Sequence, residues 1–491
     1  MKSGRGMAWL SWVGMGVLAW LLSWNPRPAT PAAREPLLVY CAAGLKGPVE
    51  RAASSFERET GVPVQMQFGG SGTLLANLKV SARGDLFVAA DGSFIEAGRT
   101  NGLLEEVVPL ARMTPVVVVR GSNPMGVTRV QDLMRPGVRV SMANPDATAI
   151  GSVVRGALSR TGQWAALAGG ATVFKPTVND VANDVKIGAV DAGIVWDATA
   201  ALYGELKAIR APELAGVSSE VAVGVLRSCA RPASALAFAR YLGAKDRGLL
   251  ELGRAGFEPV EGDAWAMRPE VVVYSGAVNR PALEPVLRDF EAREGVRVTR
   301  VYNGCGILTA QILSGQRPDA YMACDTSFMT TVSNLFGVAT EVAETSLVML
   351  VRKGNPAGIG ELGDLARPGL RVGIAHEQQS ALGALTARLL GSRGLMERVR
   401  PNVRVETPTG DLLVNQMRGG GLDAALVYEV NARSAGEFLD AVPVRDGLAV
   451  AVQPFAVSRG TGHGRLMERL RARLRSSEGR ARFEEAGFKP R

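Results

Sequence analysis

One stretch of sequence occurs twice in the chain, and this repeat indicates how the chain folds. It occurs first at residues 56–78, FERETGVPVQMQFGGSGTLLANL, and returns at residues 290–312, FEAREGVRVTRVYNGCGILTAQI. The two stretches align without gaps at an offset of 234 residues (290 minus 56). This period is far longer than the roughly 20–50 residues of solenoid or propeller repeats. We therefore expect a duplication of whole domains.

The repeat continues almost to the end of the chain. Further on, the offset becomes 232 residues, as for Asn123 and Asn355 (355 minus 123). Both copies close on a similar stretch, AGFEP at residues 255–259 and AGFKP at residues 486–490. We therefore divide the chain into residues 1–36, a leader with its linker, a first module at residues 37–265, and a second module at residues 266–491.

Apolar runs alternate with amphipathic segments in both modules. We predict buried strands at residues 37–40 and 271–274, helices at 47–60 and 281–295, and strands at 62–68 and 296–302. A further helix (72–80; 306–314) and a strand ending at an acidic residue (85–91; 319–325) follow. This alternation predicts an α/β fold with mixed, mainly parallel sheets flanked by helices. The apolar runs at 114–120 and 346–352 are expected to cross between two lobes.

The composition favours globular domains and argues against a nucleic-acid-binding protein and against a zinc ribbon. Hydrophobic residues make up 47% of the chain and charged residues 21%, which is typical of globular domains. The formal net charge is +9, but the arginines are scattered, so we expect no nucleic-acid partner. The chain has four cysteines and no CxxC pair, which excludes a zinc ribbon.

The N-terminus has the pattern of an export signal. Lys2 and Arg5 precede an uncharged apolar stretch at residues 7–24, and a Pro- and Ala-rich linker follows. The stretch is also close to the minimum length of a membrane span, about 17–25 residues. We expect a signal peptide or a transmembrane anchor, so that the chain contacts the membrane through this helix and is otherwise periplasmic or extracytoplasmic. A buried core helix is the alternative.

Several motifs fall at the predicted strand ends. The first copy has VYCAAGL at residues 39–45, GGSGTL at 69–74, DLFVAAD at 85–91 and DAGIVW at 191–196. The second has NGCGIL at 303–308, DAYMACD at 319–325 and DAALVY at 423–428. In order and spacing these motifs resemble the periplasmic molybdate-binding family of type II ABC-transporter solute-binding proteins. The resemblance implies a tandem duplication of a type II periplasmic binding protein, with two lobes in each solute-binding module.

The resemblance also implies a type of binding site. The family encloses a tetrahedral dianion with hydroxyl and backbone N–H groups rather than with charged side chains. N–H groups at helix N-termini point the positive ends of their dipoles at an anion. The ligand-binding positions that it implies are Gly44, Ser71, Ala149, Val178 and Trp196 in the first copy, and Ser275, Cys305, Ser380, Gly410 and Tyr428 in the second.

Both copies depart from the family pattern. The serine of the first strand-to-helix loop falls on Gly44 and, in the second copy, on Val278, although Ser275 is close by. The serine of the second loop is kept as Ser71 but becomes Cys305. The late tyrosine is Trp196 in the first copy and is kept as Tyr428 in the second. Each copy therefore keeps one of these hydroxyl groups.

Cys305 and Cys324 both follow predicted strands of the second copy, and three interpretations stay open. They form a disulfide, they bind a thiophilic metal ion together with His376 or Asp325, or they are isolated thiols. Their spacing in sequence does not decide between these alternatives. Outside the second interpretation, we expect no metal site.

These observations together predict an extracytoplasmic solute-binding protein. We expect it to capture an oxyanion, molybdate or tungstate first, for an ABC transporter whose permease is a possible partner, without a cofactor. The alternative is an anchored binding or sensory module for a metal ion or another solute, not coupled to transport. We expect no enzyme, since the sequence lacks the GxxxxGK[ST] and HExxH motifs and shows no GxSxG elbow with downstream Asp and His.

Overall fold

The computed structural model describes residues 35–81, 83–433 and 435–491. Its secondary structure repeats along the chain as the sequence predicts, with strands β1–β11 before residue 260 and β12–β21 after it. Both copies begin with an apolar strand, β1 (Leu37–Ala42) and β12 (Glu270–Gly276). The α/β fold class predicted from the sequence is confirmed.

The first copy consists of two lobes, each with its own sheet. The first lobe has six strands in the order β11-β4-β10-β3-β1-β2, and the second has five in the order β7-β6-β8-β5-β9. Besides β1, these strands are β2 (Val64–Gly69), β3 (Leu86–Ala89), β4 (Leu104–Met113), β5 (Pro115–Arg120), β6 (Val140–Ala143), β7 (Val173–Lys175), β8 (Ala192–Trp196), β9 (Leu206–Ile209), β10 (Ser219–Leu226) and β11 (Glu258–Pro259).

Both sheets of the first copy are mixed. β1 pairs in parallel with β2 and β3, and β6 pairs in parallel with β7 and β8. The strands that pass between the lobes, β4, β5 and β10, pair antiparallel with their neighbours. The carboxyl ends of the parallel strands therefore face the gap between the lobes, where ligands of α/β sheets bind.

The second copy repeats this arrangement with a difference at the crossing. β15 (Thr340–Arg352) runs unbroken through both lobes, pairing with β20 in one and with β18 in the other. Its ten-stranded sheet contains, besides β12 and β15, the strands β13 (Arg297–Asn303), β14 (Ala320–Met322), β16 (Val372–Ala375), β17 (Val403–Thr407), β18 (Ala424–Tyr428), β19 (Leu439–Pro443), β20 (Val450–Val457) and β21 (Lys489–Pro490).

In the first copy, the stretch that corresponds to β15 is interrupted. β4 and β5 are separated at Thr114, directly before Pro115, which has no backbone N–H to donate to a sheet. The carboxylate of Asp197 accepts hydrogen bonds from the Thr114 backbone N–H (3.0 Å) and hydroxyl (2.7 Å). These bonds anchor the point at which the chain passes from one lobe to the other.

Helices cover the sheets. In the first copy they are Lys46–Thr60, Ser71–Ser81, Gly92–Thr100, Ala149–Arg160, Trp164–Gly170, Val178–Lys186, Asp197–Ala201, Pro232–Leu242 and Gly248–Arg254. In the second copy they are Arg280–Glu294, Cys305–Leu313, Thr326–Thr331, Ala381–Ser392, Met396–Val399, Gly410–Arg418, Glu429–Arg433, Gly464–Arg475 and Ser477–Glu485.

The first long helix of each copy ends at a glycine of the repeat. Gly61 and Gly295 have φ angles of 67° and 66°, in the left-handed region that disfavours side chains with a Cβ. Their backbone N–H groups donate to the carbonyl oxygens of Glu57 and Glu291 and so close the last turn. The chain then turns into β2 or β13.

A buried cluster of charges joins the two copies. Glu294 of the second copy is 2% exposed, and its carboxylate contacts Arg240 of the first copy at 3.0 Å and Arg469 at 2.6 Å. Nearby, Arg293 pairs with Glu105 and Glu106 across the same interface. Because a buried carboxylate needs these partners, the cluster holds the copies in one relative position.

The predicted leader, residues 1–36, lies almost wholly outside the described residues. Within the part of the chain that the structure describes, each helix is too short or too polar to cross a bilayer. The predicted module boundary between residues 265 and 266 falls in the connection between β11 and β12 and stays a prediction.

Candidate ligand-binding site

A small cavity lies between the lobes of the first copy, at the carboxyl ends of β1, β2 and β8. Its volume is about 20 Å³, far below the roughly 300–1,000 Å³ of pockets that hold drug-sized molecules. In this closed conformation it has room for little more than one water molecule. The lining residues are Ala42, Ala43, Gly44, Gly69, Gly70, Ser71, Ala90, Thr148, Ala149, Ile150, Thr177, Val178 and Trp196.

Three helices point their N-termini at this cavity. They are Ser71–Ser81 from the first lobe, and Ala149–Arg160 and Val178–Lys186 from the second. The first N–H groups of a helix have no acceptor within that helix. Each terminus also carries the positive end of the helix dipole. The Gly72 and Thr73 N–H groups of the first helix already donate to the Ala147 carbonyl, so that helix contributes mainly the positive end of its dipole. The cavity therefore combines positive potential from both lobes.

The threonines before the two second-lobe helices are engaged in capping. Thr148 accepts a hydrogen bond from the Gly151 N–H and donates to the Asn144 carbonyl at 2.7 Å. Thr177 likewise accepts from the Asp180 N–H and donates to its carboxylate. Their hydroxyl protons are therefore already committed, although both residues line the cavity.

Ser71 contributes the lining hydroxyl whose proton is not committed in this way. It is 1% exposed, and its Oγ accepts a hydrogen bond from the Ala90 N–H at 3.2 Å. Accepting this bond leaves the hydroxyl proton for a guest. Ser71 also occupies the first turn of its helix, so the hydroxyl and the helix terminus act on the same place.

Gly44 lies opposite a cluster of second-lobe side chains. A Cβ added to Gly44 would lie 3.1 Å from Val178 Cγ1, 3.5 Å from Thr199 Oγ1 and 3.8 Å from Trp196 Cδ1. Thr199 is 1% exposed, and its hydroxyl has no hydrogen-bond partner among the described residues. Thr199 could not be singled out from the sequence, because the helix Asp197–Ala201 carries no pattern that separates a site residue from a core residue.

The lining residues of the cavity carry no ionisable side chain. An anion would therefore be held by neutral hydrogen-bond donors and helix dipoles. Buried donors of this kind favour a fully deprotonated oxyanion, because a proton on the guest would face another donor and find no acceptor. Among the described residues that line the cavity, none could act as a general base through an ionisable side chain.

The two lobes are closed over the cavity. The backbone N–H groups of Gly72 and Thr73 donate to the Ala147 carbonyl at 3.0 and 3.3 Å, and Asn179 Nδ2 donates to the Ala43 carbonyl at 2.9 Å. A Cβ on Gly70 would lie only 2.3 Å from the Ala147 oxygen. Glycine at this position is therefore required for the backbones to approach so closely.

The structure brings the five predicted positions of the first copy together around the cavity. Gly44, Ser71, Ala149, Val178 and Trp196 all line it. Binding of a ligand by these residues stays a prediction. Thr148, Ile150 and Thr177 also line the cavity and were not singled out from the sequence, although the residue before a helix is a recognisable position.

The second copy has the same framework with different side chains. Tyr428 ends β18 and is 2% exposed, and its hydroxyl has no hydrogen-bond partner among the described residues. Ser380 and Gly410 lie at the starts of the helices Ala381–Ser392 and Gly410–Arg418. Ser275 is buried and forms local hydrogen bonds with Asn279 and the Gly276 carbonyl, both at 3.3 Å.

The two cysteines of the second copy are free thiols in contact. Cys305 begins the helix Cys305–Leu313, Cys324 follows β14, and their sulfur atoms are 2.9 Å apart. His376 does not join them, since its Nδ1 accepts from the Gln378 N–H. Among the described residues no group of three His, Cys, Asp or Glu side chains could hold a metal ion. The hypothesised metal site of Cys305, Cys324 and His376 is therefore wrong.

Comparison with known proteins gives matches to both copies. The sequence model of a family described as bacterial extracellular solute-binding protein matches residues 37–258 and again residues 271–489. The molybdate-binding protein ModA of Mycobacterium tuberculosis is 31% identical over 217 residues, which are 44% of this chain and 81% of that protein.

Two further relatives are similar to parts of the chain. A putative binding protein of Haemophilus influenzae is 28% identical over 159 residues, 32% of this chain and 65% of that protein. The structure of the periplasmic molybdate-binding protein of Azotobacter vinelandii covers 46% of this chain and 100% of its own, with a TM-score of 0.40 and 21% identity.

Proposed function

Because this chain belongs to the bacterial extracellular solute-binding protein family in both of its copies, we propose that it captures a tetrahedral oxyanion, molybdate or tungstate first. The first copy provides the oxyanion site, between the first-lobe helix Ser71–Ser81 and the two second-lobe helices. The second copy has diverged at the equivalent positions. No cofactor takes part, and the oxyanion is the ligand.

The observation that carries this proposal is the lining of the first cavity. It combines the Ser71 hydroxyl with three helix N-termini and contains no ionisable group. A helix N-terminus stabilises a nearby anion by about 0.3–1 kcal/mol when exposed and up to about 2 kcal/mol when partly buried. Three such termini, shielded from water, favour a small dianion over a cation or a neutral solute.

The small volume favours a small guest. The closed cavity of about 20 Å³ holds little more than one water molecule, so the lobes have to part slightly for a tetrahedral ion and much further for a sugar or a peptide. The relative from Mycobacterium tuberculosis is named as a molybdate-binding protein and aligns over 81% of its length. These two observations support the choice of molybdate and tungstate over larger oxyanions as the proposed ligands.

Delivery to a transporter is the second part of the proposal. The chain is a solute-binding protein of the ABC-transporter type by its family. Such proteins act outside the cytoplasm, so the proposed partner is an ABC permease that accepts the closed, loaded form. Opening and closing of the lobes about the crossing strands would capture and release the ion.

The experiment is a thermal-shift panel on the soluble part of the chain, with molybdate, tungstate, sulfate, phosphate, zinc and copper. A ligand at about 100 times its dissociation constant stabilises by about 2.7 kcal/mol. We expect molybdate and tungstate to raise the melting temperature and phosphate, protonated near neutral pH, to do so least. Stabilisation by zinc or copper alone would contradict the proposal and favour a metal-binding module.

A further inference from the structure

The second copy differs from the first at several neighbouring positions beside the equivalent strand ends. Three positions that lie together differ between the copies, where Ser71, Ala90 and Ala42 become Cys305, Cys324 and Gly276. All three fall at the carboxyl ends of equivalent strands or at the start of the equivalent helix. The changes place two thiols where the first copy has one hydroxyl and one methyl group.

The glycine is what makes room for the second thiol. A Cβ on Gly276 would lie 1.8 Å from Cys324 Sγ and 2.8 Å from Cys305 Sγ. Alanine, the residue of the first copy, therefore could not stand beside this cysteine pair. The three substitutions depend on one another, because the two cysteines can lie side by side only where residue 276 lacks a Cβ.

Cys305 keeps the structural position of Ser71. Its Sγ accepts a hydrogen bond from the Cys324 N–H at 3.1 Å, as Ser71 Oγ accepts from the Ala90 N–H at 3.2 Å. Cys305 also lies in the first turn of a nine-residue helix, whose dipole favours a thiolate. The sulfur of Cys324 lies 2.9 Å away, and closing to the bond length of about 2.05 Å moves the atoms by less than about 1 Å.

We propose that Cys305 and Cys324 form a reversible dithiol–disulfide pair beside the carboxyl ends of β12 and β14, with Cys305 as the attacking thiolate. This proposal goes beyond oxyanion binding and does not depend on it. The oxidant is an external disulfide, as expected of an extracytoplasmic compartment. Cys305 attacks one sulfur of that disulfide and forms a mixed disulfide, and the first external thiol leaves.

Cys324 completes the reaction. Its sulfur loses its proton and attacks Cys305 Sγ, which forms the internal disulfide and releases the second external thiol. The two electrons of the dithiol thus pass to the external disulfide. The lobes must open first, because Cys305 is 0% and Cys324 5% exposed and the loop at Gln379 lies against Gly304.

The environment of the pair supports these roles. Burial opposes ionisation of Cys305, but hydrogen bonding with the Cys324 thiol and with the Cys324 backbone N–H outweighs burial and lowers the Cys305 pKa. The hydrogen bond to Cys305, together with burial, raises the pKa of Cys324 well above its usual value. One sulfur is thus disposed to attack while the other holds the proton, a division absent from Cys41 and Cys229.

The other two cysteines serve as internal controls. Burial raises the pKa of Cys41. Burial and a hydrogen bond to Asp85 raise the pKa of Cys229 to about 12. Neither cysteine contacts another thiol, so both are expected to remain reduced under conditions that oxidise the pair.

The test is a thiol count on the intact protein. The reduced chain is freed of reductant, incubated with oxidised glutathione, quenched in acid, denatured, alkylated and analysed by intact mass and peptide mapping. We expect two of the four cysteines to escape alkylation. We also expect a mass loss of two hydrogen atoms, one Cys305–Cys324 cross-linked peptide, no retained glutathione, and full reversal by dithiothreitol.

Matched variants restore the residues of the first copy. Cys305→Ser and Cys324→Ala should each abolish the cross-link, and wild-type mapping decides alone if a variant does not fold. Four alkylated cysteines in the treated wild type, a stable glutathione adduct in place of the cross-link, or a cross-link to Cys41 or Cys229 would each overturn the proposal. Because no oxyanion is present, the result is independent of the proposed function.

Discussion

The two copies share the same framework of strand ends and helix starts, and they differ in the side chains at these equivalent places. In the first copy, Ser71 presents a hydroxyl and Ala90 a methyl group, beside a cavity of about 20 Å³. In the second copy, Cys305 and Cys324 bring two sulfur atoms to the same place, 2.9 Å apart. Duplication thus preserved the framework of strand ends and helix starts while the contacting side chains changed.

This difference distinguishes the residues that determine the backbone geometry of the cleft from those that determine its ligand specificity. Gly61 and Gly295 end equivalent helices with the same left-handed backbone, and Gly70 and Gly304 allow the same close approach of the lobes. These positions are shared by both copies because backbone geometry demands them. Under the proposed function the first copy keeps the oxyanion site, which would leave the corresponding side chains of the second copy free to diverge.

The largest predicted effect concerns the charges that join the copies. Glu294→Gln removes the carboxylate shared by Arg240 and Arg469. Breaking a buried pair from one side costs about 3–5 kcal/mol, which urea unfolding would measure. Molybdate affinity of the folded variant should stay within about two-fold, because the distant sites are independent. A loss of stability below about 1 kcal/mol would contradict a structural role for this cluster.

Glu294 should also make the free energy of unfolding depend on pH. Burial raises the pKa of Glu294, but Arg469 and Arg240 outweigh it and hold this pKa below its usual value. Its stabilisation is therefore present above the unfolded pKa of about 4.3 and is lost as the pH falls through the folded pKa. Unfolding free energies measured from neutral to acid pH should show wild type and Glu294→Gln converging at low pH. A constant gap would contradict this assignment.

The next effect compares closure of the two clefts. A Cβ on Gly70 would lie 2.3 Å from the Ala147 oxygen, and a Cβ on Gly304 would lie 2.3 Å from the Gln379 oxygen. Overpacking of this kind costs about 1–3 kcal/mol. Gly70→Ala should therefore weaken molybdate binding roughly 5- to 150-fold in calorimetric titrations. Gly304→Ala should leave the affinity unchanged, and an equal loss in both variants would show that the copies bind together.

A smaller effect is expected from the hydroxyl itself. Ser71→Ala removes a donor to the anion, which corresponds to about 1.5 kcal/mol, roughly ten-fold in affinity. Cys305→Ser places an oxygen at the equivalent position of the second copy and should not change binding at the first. Affinities from equilibrium dialysis with molybdate would check this pair, and a loss in Cys305→Ser as large as that in Ser71→Ala would contradict the assignment.

The smallest effect tests the framework common to both copies. Gly61→Ala and Gly295→Ala place a Cβ in the left-handed region, at a cost of about 1 kcal/mol each. Gly295→Ala should cost about as much as Gly61→Ala, because its Cβ would make only an ordinary contact with the Ala233 Cβ, at 3.4 Å, across the copy interface. Chemical denaturation of both variants measures the effect, and unchanged stability in either would count against the helix-end geometry.

The sequence predicted the framework better than the contacts made across it. Strands and helices follow from local apolar patterns, as for the helix predicted at residues 47–60 and observed at Lys46–Thr60. Contacts such as that of Glu294 with Arg240, or of Thr199 with the cavity region, join residues far apart in sequence. Local patterns record that such residues are buried but do not identify their partners, so these contacts were missed.

The cysteine pair shows the same limit. Cys305 and Cys324 are separated by a helix and a strand, and their spacing in sequence did not decide between a disulfide, a metal site and isolated thiols. Only the meeting of two strand ends beside Gly276 brings the sulfur atoms together. His376 lies on another loop with its own hydrogen bond, which no count of residues along the chain could indicate.

The most direct test of the account is the stoichiometry of molybdate binding to the intact chain, measured by isothermal titration calorimetry. We predict one site per chain, abolished or strongly weakened by Gly70→Ala and retained in Gly304→Ala. Two equivalent sites per chain, or a single site lost in Gly304→Ala and kept in Gly70→Ala, would contradict the division of roles between the copies.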